Sequence, residues 1–399
     1  MQPLTYQLKL PGVVYGGTNA LQKLPEIAQK YHKAALFTDQ GIRRAGITEK
    51  PEELLVRSGL SVTVLDQLPA EPTYHQAEEI AEQFKQTGAD LIVAVGGGSV
   101  MDLAKLASVS AANAYRIRDM LSDPLIGQKQ VPTLLIPTTA GTGSEATPNS
   151  IVAVPEKELK VGIVNPAMTA DYVILDGEMI RTLPTGIAAA TGLDALAHAI
   201  ECYTSNKANP FSNLFALEAL KLIFCNLEAA CLEPDAIDAK NNMLLAAFYG
   251  GAAITASGTT AVHALSYPLG GKYHIAHGIS NAIMLLPVMR FNRQACLKEF
   301  AEVYDALHSG DGDARFHKIT GHPAASGPVT DEHKADWLLG RMEALIRTLK
   351  IPSSLREFGI AKKDLDSLVE SGMNVQRLLA NNKRTVTPQD ARSLYLEVL

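Results

Sequence analysis

Asp194 and His198 stand four residues apart in Gly192-Leu-Asp-Ala-Leu-Ala-His198. The segment has helical spacing, so both side chains project from one helix face. A carboxylate beside an imidazole suits a borderline divalent ion such as zinc or ferrous iron. More imidazoles gather in residues 262–278, where His263, His274 and His277 lie in a stretch poor in charge. Partial burial there favours the neutral ring, which is the form that ligates metal. His263 is expected to end a small-residue helix. His277 is expected to follow a Pro/Gly break and precede another helical run at 279–286. Spacing alone leaves His274 and His277 as alternatives.

A second chemistry is written in the glycines. The apolar run 91–95 passes directly into Gly96-Gly-Gly-Ser-Val-Met-Asp102, followed by a helical pattern. A glycine turn feeding a helix N-terminus presents free N–H groups to an anion such as a pyrophosphate. Ser99, with Asp102 three positions on, has the spacing of a capping box. The pattern is not G-x-G-x-x-G, so an ordinary Rossmann fingerprint is absent. Pro137-Thr-Thr-Ala-Gly-Thr-Gly-Ser-Glu145 is a second polar loop after a strand-like run, with hydroxyls suited to the phosphates and ribose of a cofactor. Asp39, closing the run 34–37, can accept from an adenosine ribose and would repel a 2′-phosphate, which favours NAD over NADP. Alternatively, it closes the strand as an Asx turn.

These groups need a scaffold, and the chain is long enough for two. Its 399 residues exceed what one core usually supports. Short apolar runs at 34–37, 62–65, 91–95 and 133–136 alternate with helical patterns at 20–31 and 74–86, which implies a doubly wound α/β layer. Runs 160–164 and 172–175 are expected as its last strands. Beyond Pro184 the texture is helical, with segments 186–204, 212–232, 238–256 and 334–349. The expected division is therefore an α/β dinucleotide-binding domain over 1–183 and an all-α domain over 184–399. Residues 310–330 are expected as a surface loop. A hydrophobic share of 47% with 20% charged residues is ordinary for a soluble globular chain. The net charge of −6, with no basic run carrying interleaved aromatics, argues against nucleic acid. Cys202, Cys225, Cys231 and Cys296 form no C-x-x-C pair and are expected as reduced core thiols. Neither a signal peptide nor a membrane span is expected, and the protein is expected in the cytoplasm.

Taken together, Gly96-Gly-Gly-Ser-x-x-Asp102, Pro137 to Glu145, Gly192-x-Asp-x-x-x-His198 and the His263 to Gly278 segment resemble the iron-containing alcohol dehydrogenase family. The match is collinear from Gly12 to about Asn292. The resemblance implies a dehydroquinate synthase-like architecture, with a cleft between the two domains. It places Asp194, His198, His263 and His277 at the metal-ligand positions, with Fe2+ favoured and Zn2+ compatible, and sets His274 aside. It also places Gly97, Gly98, Ser99, Asp102, Thr138, Thr139, Thr142, Asn149 and Lys160 at positions that contact NAD. A small alcohol or aldehyde is the implied substrate, and a homodimer or larger homo-oligomer, through residues 4–14, the implied assembly.

Three departures stand out. Tyr267 occupies a position where many members carry a histidine near the substrate, and either it or a metal-bound water is the candidate for passing the alcohol proton to solvent. Glu71-Pro72 replaces a frequent Asn-Pro. Residues 254–262 replace a run that shapes the substrate pocket. The expected reaction is hydride transfer between an alcohol and NAD, with a divalent cation acidifying the alcohol. One rival is a dehydroquinate synthase-like lyase, which would need basic residues around a phosphate; near the histidines there is little basic charge apart from Lys272. The other is a non-catalytic NAD-binding protein, which would have no use for four converging ligands.

Overall fold

Leu91–Gly96 is buried at every position, as a strand covered by helices on both faces must be. In the computed structural model it is β4, the centre of a six-stranded, wholly parallel sheet. The described residues are 5–111, 115–157, 159–309 and 329–399. They fall into two compact units, Leu8–Leu183 and Pro184–Leu399, with residues 5–7 grouping with the second rather than the first.

The first unit holds β1 (Val13–Gly16), β2 (Lys33–Phe37), β3 (Ser61–Leu65), β4, β5 (Thr133–Pro137) and β8 (Tyr172–Leu175) in the order β1-β8-β5-β4-β2-β3. The four early runs named from sequence all become strands. The edge strand β1 overlaps, at Val13 and Val14, the segment 4–14 that the resemblance implied as strand for assembly, and here it pairs within the unit's own sheet. Residues 160–164 are a correction. They belong not to the main sheet but to β7 (Leu159–Val164), which pairs antiparallel with β6 (Asn149–Val154) as a separate two-stranded hairpin. The expected helix at 20–31 is also shorter. It is a 3-10 turn (Ala20–Lys23) followed by α1 (Leu24–Ala28), with Pro25 in its first turn, where a missing N–H costs nothing. The unit's other helices are α2 (Gln40–Arg44), α3 (Glu49–Arg57), α4 (Tyr74–Thr87), α5 (Gly98–Ser110) and α6 (Ile117–Met120). Helix α4 has a full set of end signals. Thr73 and Gln76 form a capping box, and Gly88 ends the helix at a positive φ of 61°.

In the second unit the described elements are helical: α7 (Thr185–Tyr203), α8 (Pro210–Leu232), α9 (Ile237–Ala256), α10 (Ala261–Tyr273), α11 (His277–Asn292), α12 (Leu297–Leu307), α13 (Asp331–Thr348), α14 (Leu365–Met373), α15 (Gln376–Leu379) and α16 (Pro388–Glu397). Helix α7 is buried almost all round from Ala189 to Tyr203, so it is the axis of this unit. Its neighbours approach closely because small residues face them. A Cβ at Gly192 would collide with Leu227 of α8, and one at Gly278 with the Ala190 carbonyl. No described helix is long and apolar enough to cross a membrane. The loop expected at 310–330 lies, but for its last two positions, outside the described residues.

Two local expectations change. His263 does not end a helix. Helix α9 stops at Ala256, Gly258 turns the chain at φ 84°, and His263 falls in the first turn of α10. Pro268 makes no break either, since it lies inside α10.

Candidate active site

Asp194 and His198 project from the same face of α7, and this face continues one turn on to Glu201. Helix α10 brings His263 to them, and His277 arrives as the first residue of α11. The donor atoms of Asp194, His198, His263 and His277 all lie within 4.8 Å of one another. Asp194 Oδ1 is 3.8 Å from His198 Nε2 and 3.7 Å from the Nε2 atoms of both His263 and His277. The rings of His198 and His263 stack at 4.6 Å between centroids. Three of the four side chains are buried, whereas that of His277 is 36% exposed, so the cluster opens on its side. His274 is elsewhere. It is the exposed residue that ends α10 at φ 55°.

The electrostatics suit a cation. Burial alone would raise the pKa of Asp194, but the imidazoles of His198, His277 and His263 hold its carboxyl well below the usual range. Burial lowers the proton affinity of His263, yet Glu201 and Asp194 outweigh it and leave the pKa at about 9. Glu201 is fully buried, and sequence reasoning passed it over. Its Oε1 accepts the N–H groups of Thr260 at 3.0 Å and Val262 at 2.8 Å, together with the Thr260 hydroxyl at 2.7 Å. The carboxylate thus caps the start of α10. Its other oxygen bonds His263 Nδ1, which leaves Nε2 turned toward Asp194.

Asn281 was also missed. One turn beyond His277, its Nδ2 donates to Asp194 Oδ1 at 2.6 Å and lies 3.0 and 3.1 Å from the Nε2 atoms of His263 and His277. The Ser266 hydroxyl bonds its Oδ1. Tyr267 stands beside the same two rings, with centroids 6.4 Å from His263 and 6.1 Å from His277. Burial, opposed by Arg377, raises its phenol pKa.

The other sequence-named residues collect in the α/β unit, at the carboxyl ends of its strands. A cavity of about 500 Å3 is lined there by Asp39, Gln67, Ala70, Gly97, Gly98 and Ser99 among others. Asp39 caps α2 by accepting the Ile42 N–H at 2.9 Å, so the Asx-turn role is present and its side chain also borders the cavity. The capping box expected of Ser99 and Asp102 is not formed. Helix α5 starts at Gly98 behind Gly97 without a side-chain cap, and Ser99 Oγ accepts the Glu71 N–H at 3.1 Å. Asp102 is buried and engaged elsewhere, accepting from the Ser144 hydroxyl at 2.5 Å and the Ile151 N–H at 2.8 Å. It also pairs with Lys105, whose fully buried ammonium is 3.0 Å away. Asp102 therefore holds the Thr142–Thr147 loop and the β6–β7 hairpin in place. Thr142 packs against Gly98, close enough to disfavour a Cβ there, and Thr139 flanks Gly97. Asn149 opens β6, and Lys160 on β7 pairs with Glu71 at 2.7 Å.

Buried oxygens without partners test whether a polar ligand fits these strand ends. The hydroxyls of Thr38 after β2, and of Thr138 and Thr139 after β5, are buried and bonded to nothing among the described residues. So is Glu145 Oε1. Burial, opposed by the residue's own N–H and by Lys105, pushes the Glu145 pKa up to about 7. Orphaned acceptors and donors grouped at strand ends are what a ligand rich in hydroxyl and phosphate oxygens would satisfy.

Comparison with known proteins covers both units. The family model described as iron-containing alcohol dehydrogenase matches residues 11–177, and that of the C-terminal part of the same family matches residues 188–399. The long-chain-alcohol dehydrogenase 1 of Geobacillus thermodenitrificans is 34% identical over 394 residues, covering 98% of this chain and 95% of its own. The NAD-dependent methanol dehydrogenase of Bacillus methanolicus is 30% identical over 377 residues, covering 94% of each. Among solved structures, a 1,3-propanediol oxidoreductase superposes with a TM-score of 0.88 at 27% identity, over 99% of this chain and 100% of that one.

Proposed function

The chain belongs to the iron-containing alcohol dehydrogenase family, and from that premise we propose that it moves hydride between NAD(H) and a small primary alcohol or aldehyde at the Asp194, His198, His263 and His277 cluster. The convergence of these four donor atoms from three helices carries the reading. Three imidazoles and one ionised carboxylate form a donor set for a divalent cation, Fe2+ or Zn2+. A cation held there would draw electron density from an alcohol or carbonyl oxygen beside it, and nicotinamide would carry the hydride.

The rest of the work falls to the chain's own side chains. Glu201 fixes the ring of His263 by holding Nδ1, so that Nε2 is presented to the centre. Asn281 braces Asp194 and the two later imidazoles from one side. The exposed flank of His277 leaves a direction of approach for substrate. Tyr267 borders the two rings, and its raised pKa keeps the phenol protonated near neutral pH, so it serves as a donor that passes a proton and not as a resident base. The Gly97–Ser99 turn offers N–H groups to the pyrophosphate, Asp39 accepts from the adenosine ribose, and Thr138 and Thr139 supply hydroxyls.

The test is absorbance at 340 nm with NAD or NADH and a panel of short alcohols and aldehydes. It uses protein purified without oxygen, then chelated, then resupplied with Fe2+ or Zn2+. Activity lost on chelation and restored by one ion supports the reading. Activity that survives complete removal of metal would overturn it. Tyr267→Phe is expected to lower the rate and shift its pH profile, and an unchanged profile removes the tyrosine from the proton path.

A further inference from the structure

Glu71 sits in a backbone conformation that suits it poorly. Its φ is 50°, in the left-handed region where a non-glycine residue is disfavoured and Asn or Asp is tolerated best. A residue held in such a region signals that its surroundings demand something of it. Two bonds hold this one, and a third holds the residue after it. Its N–H donates to Ser99 Oγ at 3.1 Å at the start of α5. Its carboxylate Oε1 lies 2.7 Å from Lys160 Nζ. The following carbonyl, on Pro72, accepts the N–H of Ala153 at 2.8 Å, and Ala153 is the cross-strand partner of Lys160 in the hairpin. The segment after β3, the first turn of α5 and the β6–β7 hairpin thus meet at Glu71. Ala70 immediately before it and Ser99 bonded to it both line the cavity. Lys160 is the better buried partner, its side chain 17% exposed against 39% for Glu71.

An ammonium beside an anion-binding turn would ordinarily be recruited by a phosphate oxygen. Here a carboxylate already neutralises it. We propose that Glu71 sets the affinity and phosphate selectivity of the dinucleotide cavity, by holding the charge of Lys160 away from the ligand's phosphates. The inference rests on the proposed dinucleotide reading. With the acid in place, the cavity binds its cofactor more loosely and rejects added phosphate more strongly than it would with a neutral residue at 71.

NADH and NADPH fluorescence titrations of the full-length chain test this. Glu71→Gln keeps the shape and the N–H to Ser99 while removing the charge. It is expected to tighten NADH about 3- to 10-fold at low ionic strength and NADPH by more, as release of one nearby cation implies. Added salt should shrink the gain, and Glu71→Gln combined with Lys160→Met should abolish it. Glu71→Asn, which relaxes the backbone as well, is expected to give a similar gain. NADH binding by Glu71→Gln that is unchanged or weaker than that of the parent chain overturns the proposal. A gain that survives loss of Lys160 does so too, as does a gain confined to Glu71→Asn, which would trace to strain and not charge. If the parent chain binds neither nucleotide, the dinucleotide reading itself fails, and this inference with it.

Discussion

A single carboxylate, Glu201, links two halves of the proposed metal site, because it caps α10 with one oxygen and holds His263 with the other. Glu201→Gln keeps the cap acceptor but loses the charge facing the imidazole. Metal affinity, measured by competition with a chromogenic chelator, should fall about 10- to 100-fold. His277→Ala should reduce bound metal to background, whereas His274→Ala should leave the stoichiometry unchanged; the reverse pattern would redraw the site. Spacing could not separate these two histidines, since both follow the same helix within a turn, and the choice fell to family resemblance. Glu201 was more accessible, because it continues the 194, 198 face by one turn and a sequence reading that stopped at the i, i+4 pair overlooked it. Glu145 makes a separate prediction. Its folded pKa of about 7 lies above the 4.5 of an ordinary glutamate, so it contributes stability below pH 4.5 that is lost as pH rises through 7. The loss is up to about 3 kcal/mol. Glu145→Gln should flatten the difference in unfolding free energy between pH 5 and pH 8 relative to the parent chain, read from urea titrations, and parallel curves would show that the carboxyl is not buried in this way.

At the level of elements, the cluster depends on how closely α7 and α11 approach. Gly278 directly follows His277 and touches the α7 backbone at Ala190. Gly278→Ala should push the helices apart, cost about 1–3 kcal/mol by overpacking and lower metal content, whereas Gly186→Ala, with open space around it, should do neither. Long helices were legible because apolar spacing over many turns is hard to mistake. The start of α10 was not, because 254–262 is rich in small residues and offers no apolar spacing to mark a new helix, and the turn into α10 depends on Gly258 and on a carboxylate about sixty positions upstream. Residues 160–164 were placed in the wrong sheet because a short apolar run looks the same in a hairpin and in a parallel layer. The partner strand gives no warning in sequence either, because Asn149–Val154 alternates in burial but not in polarity, with Ser150 buried and Ile151 exposed.

The four proposed metal ligands belong to the Pro184–Leu399 unit and the residues lining the cavity to Leu8–Leu183. Each ligand should therefore stabilise its own unit. At a hundredfold excess over Kd the gain is about 2.7 kcal/mol. Hydrogen exchange should show chelation loosening α7, α10 and α11, and NADH protecting the Gly97 and Thr139 turns. Equal protection of both units by either ligand would contradict that separation. The sheet of the first unit carries one more consequence. Among the described residues strand β1, the first of the sheet to be made, pairs only with β8, the last, in a parallel register running from Val13 with Tyr172 to Gly16 with Leu175. During synthesis β1 must wait, unpaired, until the whole unit has left the ribosome, so the sheet's outer seam closes last and is its slowest contact to form. Joining the ends of this unit and reopening the chain at a surface loop before β8 would make the two strands neighbours in sequence, and such a permutant should refold faster than the parent order.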